Sequence, residues 1–88
     1  MGSERKKRKL ARNDLPPVCR KLGRVIRRER LRRAWSQEDL AAHAGVTQSE
    51  ISTLENSGCY PKIETVERVA RGLGCKLSIL IAKTERAR

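Results

Sequence analysis

The chain contains no phenylalanine, one tryptophan (Trp35) and one tyrosine (Tyr60). With so few aromatic side chains, any core has to be aliphatic, which suits short helices packed closely. No segment approaches the run of about 18 apolar residues that a membrane-spanning helix needs, and Met1–Lys9 lacks the apolar stretch of a secretory signal. Three cysteines (Cys19, Cys59 and Cys75) stand far apart without CxxC spacing, beside a single histidine, His43. That set makes neither a zinc site nor an even disulfide framework. It reads as reduced thiols in a cytoplasmic protein. His43 has no serine, cysteine or carboxylate constellation that would make a triad, so it reads as a solvated helix residue. Neither enzyme activity nor a metal or cofactor is expected.

Negative charge is scarce where positive charge is dense. Residues 1–35 hold 14 Lys/Arg against Glu4, Asp14 and Glu29, whereas residues 36–88 hold seven of each sign. The net charge of +11 therefore sits entirely in the first 35 residues. Such a footprint suits a polyanion, with an anionic surface or a solubilising tail as the alternatives. The run Arg5-Lys6-Lys7-Arg8-Lys9 has almost nothing to bury, and residues 1–16 read as a disordered basic arm, either a DNA tether or a silent tail.

A length of 88 residues allows one small domain. Asp14 offers an N-cap, and Pro16 and Pro17 fall in a first turn, where a missing N–H costs little. The first helix follows to about Arg33, with Val18, Leu22, Val25 and Ile26 as its apolar stripe. Eight Lys/Arg from Arg20 to Arg33 occupy its other faces, and their density points to phosphate contact for Arg24 and Arg28. Ser36 and Asp39 form a capping box before a helix over Gln37–His43, with Gly45 as its stop. Thr47 and Glu50 repeat the box before a third helix, Gln48–Asn56. Turn residues 57–61 lead to a fourth helix, Ile63–Leu73, built on Ile63, Val66, Val69, Ala70 and Leu73 and stopped by Gly74. Over 76–82, Leu77, Ile79 and Ile81 alternate, and the short length and β-branched content favour a strand. A lone strand would have to pair with a second copy. The alternative is a fifth helix with Leu77, Leu80 and Ile81 inward.

Two short helices joined by a tight glycine turn carry the functional signal. In such a pair the first helix lies across the phosphate backbone and the second puts its N-terminal residues at base edges in the major groove. Ile51 and Leu54 mark the inward side of the second, leaving Gln48, Ser49, Ser52 and Thr53 outward. Glutamine can contact adenine bidentately, serine either bonding type, and threonine a thymine methyl. Trp35 reads as an anchor at the core edge.

The stretch Gln37-Glu-Asp-Leu-Ala-Ala-His-Ala-Gly-Val-Thr-Gln-Ser-Glu-Ile-Ser-Thr-Leu-Glu-Asn56 resembles the helix-turn-helix of the Xre family, which includes lambdoid phage repressors and Cro proteins. The likeness extends through Pro61, Ile63, Thr65, Val66, Ala70 and Leu73-Gly74, covering about residues 20–75. It implies an all-α, four-helix (or five-helix) lambda-repressor-like DNA-binding domain over 17–75, with 76–88 serving dimerisation. By position it implies that Gln48, Ser49 and Thr53 read bases with Ser52 beside them, and that Gln37 contacts phosphate and supports Gln48. Asn56 and the Gly58–Tyr60 loop correspond to phosphate contacts, and Lys62 to a position near the minor groove. Arg30 and Glu55 match an ion pair clamping the first helix to the third. The implied function is sequence-specific binding of double-stranded operator DNA, as a repressor and a homodimer on an inverted repeat. Ala34 stands where glycine is common, so the turn before Trp35 is expected to be either more helical or slightly strained, and Ser49 is shorter than the residues often found there. The period-two tail is more similar to antitoxins of toxin–antitoxin operons, so the alternative is a toxin neutraliser that also represses its own operon. A third reading is a non-specific nucleic-acid binder driven by the arm.

Overall fold

Two prolines set the first helix going. The computed structural model describes residues 16–56 and 60–87; the arm Arg5–Lys9, the expected cap Asp14, and Gly58 and Cys59 of the loop lie outside the described residues. Pro16 is the N-cap and Pro17 the first residue of α1 (Pro17–Arg32), where the absent N–H has no intrahelical role. Then follow α2 (Gln37–Ala44), α3 (Gln48–Asn56), α4 (Ile63–Gly72) and α5 (Leu77–Arg86). Among the described residues there is no β-strand.

Side-chain chemistry defines where the two short helices begin. At α2, Ser36 Oγ accepts from the Asp39 N–H at 3.0 Å while the Ser36 N–H donates to Asp39 Oδ2 at 2.8 Å. At α3, Thr47 and Glu50 repeat the exchange at 3.1 and 2.9 Å. These hydrogen bonds hold the Asp39 and Glu50 carboxyls below their ordinary pKa values. α1, α2 and α4 each end in a left-handed residue followed by an N–H that reaches back five residues. Gly45 and Gly74 supply that conformation after α2 and α4, but Ala34 supplies it after α1, at φ 59°. Of the two expectations for Ala34, a more helical turn or a strained one, the structure has the strained one.

Leu22, Val25, Ile26, Leu40, Ala41, Ala44, Ile51, Leu54, Val66, Val69, Ala70, Leu73 and Leu80 form one aliphatic core, with Trp35 packed at its edge. Two expected core positions lie outside it. Val18 is exposed one turn before Leu22, and Ile63, at the N-terminus of α4, is 67% exposed.

The segment expected as a pairing strand is the helix α5, which corrects the period-two reading. Leu77, Leu80 and Thr84, spaced three and four apart, face the domain, and Ile79 is exposed. The helix lies on α1 and α4 and fills their shared apolar face with Leu80. Helical bonding satisfies the backbone within one chain, which an isolated strand cannot do. Fully buried Thr84 donates its hydroxyl to the Leu80 carbonyl at 2.8 Å, so its polar atom is also satisfied.

Candidate nucleic-acid interface

The capping boxes aim α3 so that its polar side leaves the core. Ile51, Leu54 and Glu55 are buried, whereas Gln48, Ser49, Thr53 and Asn56 are exposed and Ser52 is half-buried. A hydrogen-bonded relay then runs from the interior to the N-terminus of α3. Arg30 Nε and Nη2 donate to the two carboxylate oxygens of Glu55 at 2.7 and 2.9 Å, a bidentate pair with side chains 9% and 2% exposed. Arg30 Nη1 donates to the Trp35 carbonyl at 2.9 Å. Gln37 Nε2 donates to Glu55 Oε1 at 3.1 Å, and Gln48 Nε2 donates to Gln37 Oε1 at 2.9 Å. A buried charge thus orients an exposed amide two steps away. The bond to Glu55 also raises the Arg30 pKa, favouring the guanidinium form.

Further along α3, Asn56 Nδ2 donates to Ser52 Oγ at 3.3 Å. Ser49 and Thr53 face Tyr60, Pro61, Lys62 and Thr65 across a groove of about 230 Å³. The structure therefore gathers Gln37, Gln48, Ser49, Ser52, Thr53, Asn56, Tyr60 and Lys62 along α3 and its flanks. Arg24 and Arg28 are not part of this set. They line a separate depression on α1 with Arg27, Leu31 and Arg32.

Three features of the surroundings were not expected. Glu29 is buried and takes contacts from Arg32 (3.4 Å), Arg33 (3.1 Å) and Lys83 (3.5 Å), joining α1 to α5. Its position on the Leu22–Val25–Ile26 stripe was the available signal. Burial pushes its carboxyl up, but the hydrogen bond from Arg33 and the charges of Lys83, Arg32 and Arg33 outweigh that and leave it below its ordinary pKa. Arg33 also donates to the Leu73 carbonyl at 2.8 Å, at the end of α4. His43, expected to be simply solvated, is exposed but stacks on Trp35, with ring centroids 4.0 Å apart and planes within 9°. Arg33 lies over the same indole, 5.7 Å from its centroid.

Among the described residues no three His, Cys, Asp or Glu side chains group to hold a metal. No described helix is long and apolar enough to cross a membrane.

The capped helix pair, the glycine turn between and the exposed polar face of the second helix define a helix-turn-helix domain. A family model described as a helix-turn-helix domain matches residues 21–78, and the chain belongs to that family. It is 44% identical over 52 residues to uncharacterized HTH-type transcriptional regulators of Mycobacterium bovis and Mycobacterium tuberculosis, covering 59% of this chain. The matched segment spans 20% of the length of those relatives. Among solved structures, the wild-type restriction-modification controller protein C.Esp1396I superposes with a TM-score of 0.72 at 24% identity, over 82% of this chain and 94% of its own. A hypothetical transcription factor from Neisseria gives 0.64 at 26%, over 86% and 84%. The fold is that of these proteins.

Proposed function

We propose that this chain is a sequence-specific transcriptional regulator, a repressor acting in the cytoplasm, that reads double-stranded DNA with α3 in the major groove. The observation that carries the reading is the relay Arg30–Glu55–Gln37–Gln48. One Gln48 N–H is used in holding the amide; its oxygen and second N–H match an adenine edge. Ser49, Ser52 and Thr53 continue the reading surface, and Gln37, Asn56, Tyr60 and Lys62 serve phosphate or minor-groove contacts. Support comes from the controller protein, which has been solved bound to a 25 base pair operator site, and from the transcriptional regulators among the relatives. Two copies on an inverted repeat would present their α3 helices to half-sites about 34–36 Å apart. No observation favours a toxin partner.

Selection of bound sequences from random duplexes by the full chain tests this. A single palindromic motif is expected, and Gln48→Ala should lose about 1–3 kcal/mol on it while relaxing one base pair per half-site. Equal losses on selected and random duplexes would refute base reading by Gln48.

A further inference from the structure

α1 buries Leu22, Val25, Ile26, Glu29 and Arg30. At about 100° per residue, Arg24, Arg27, Arg28 and Leu31 therefore project from its opposite side. Together with Arg32 they line an open depression of about 610 Å³. Among the described residues lining it, Leu31, 54% exposed, is the one wholly apolar side chain. A second depression, lined in part by Arg28, Arg32, Lys83 and Arg86, continues the basic surface onto α5. Its carboxylate, Glu29, is already engaged by Arg32, Arg33 and Lys83.

We propose that this face docks an acidic segment of a partner protein, which places an apolar side chain on Leu31 and carboxylates on Arg27 and Arg28. Three observations favour a protein over a second nucleic acid. Arginine stems around a leucine make a continuous apolar floor beneath charged rims, which an apolar side chain of a peptide covers better than the sugars of a phosphate backbone. Among the described residues the cations lining the depression are all arginine; its fork pairs with carboxylates as with phosphates, but its enrichment at protein interfaces, where lysine is depleted, fits a protein partner. The face also points away from the Arg30–Glu55 seam against α3, so an occupant would leave Gln48 uncovered. A second copy of the chain carries the same net charge of +11, so like-charge repulsion disfavours it as the occupant.

The test uses the full chain, a short labelled peptide of aspartate and glutamate with leucine at each helical turn, and the same peptide with serine for leucine. Random-sequence duplex DNA is the second probe. The leucine peptide should bind, and the serine peptide should bind about tenfold more weakly. Leu31→Ser should weaken the leucine peptide about tenfold and leave duplex affinity unchanged. Arg28→Glu should weaken both peptides more than Arg71→Glu does, with equal effects of the two changes on duplex affinity. Circular dichroism checks that each variant is folded. No peptide binding, or equal binding of the two peptides with no effect of Leu31→Ser, would overturn the proposal. So would a larger loss of duplex affinity in Arg28→Glu than in Arg71→Glu, which would make the face a nucleic-acid contact.

Discussion

Glu55→Ala should be among the most damaging single changes outside the aliphatic core. The carboxylate accepts two bonds from Arg30 and one from Gln37, at 2.7, 2.9 and 3.1 Å, with its side chain 2% exposed. Removing it leaves the Arg30 guanidinium buried with the Trp35 carbonyl at 2.9 Å and takes the partner from Gln37 Nε2. Breaking a buried pair on one side costs about 3–5 kcal/mol, because the surviving charge has neither water nor a counterion. Each kcal/mol lowers Tm by about 4–8 °C in a domain of this size, so a fall of at least about 12 °C is expected. Arg32→Ala is the comparison. Its partner Glu29 retains Arg33 and Lys83, and the Arg32 side chain is 62% exposed, so about 0–1 kcal/mol is at stake. Thermal and urea unfolding of Glu55→Ala, Arg30→Ala and the double variant supply the cycle, and Glu55→Gln gives a milder, foldable version of the lesion. Losses in the two single variants that simply add in the double variant would refute the pair as a structural clamp. A Glu55→Gln variant as stable as the parent would refute the need for charge.

Gly72→Ala should destabilise by about 1–3 kcal/mol despite alanine's higher helix propensity, because a Cβ there would meet Ala44 Cα and N at 2.9 Å; an unchanged urea midpoint would count against this close α2–α4 approach. Ala34→Gly should stabilise by about 0.5–1 kcal/mol, since φ 59° strains an L-residue and glycine adopts it freely; the readout is Tm, and a fall would show that the strain is absent. Glu29→Gln probes pH linkage. The folded Glu29 pKa lies below its ordinary 4.5, so the stability it contributes is complete above that value and is lost as pH falls through the folded pKa. The Tm gap between the parent and Glu29→Gln should thus be constant at neutral pH and narrow in acid below about pH 4.5; a gap independent of pH would oppose this.

The helix-turn-helix was legible in the sequence because its information is local. A capping box needs two residues three apart, and Gly45 marks its own stop, so Ser36, Asp39, Thr47 and Glu50 placed α2 and α3 before any tertiary contact was known. The spacing of Ile51 and Leu54, three apart, then oriented Gln48, Ser49 and Thr53. The resemblance to Xre-type proteins supplied the partnership of Arg30 with Glu55 across 25 positions, which spacing within one helix does not contain. Tertiary structure alone decided the rest. Leu77–Arg86 has an alternating apolar pattern, yet it is a helix because α1 and α4 offer a face that Leu80 fills and the helix satisfies its own backbone. Glu29 lies on the apolar stripe of α1 within reach of Arg32 and Arg33, but only the packing of α5 brings Lys83 to it. Arg24 and Arg28 carry the same charge as any phosphate-binding arginine. Their side of α1 follows from which stripe the core buried, and that separates them from α3. Charge and capping are properties of residues and their near neighbours; burial and sidedness belong to the assembled domain.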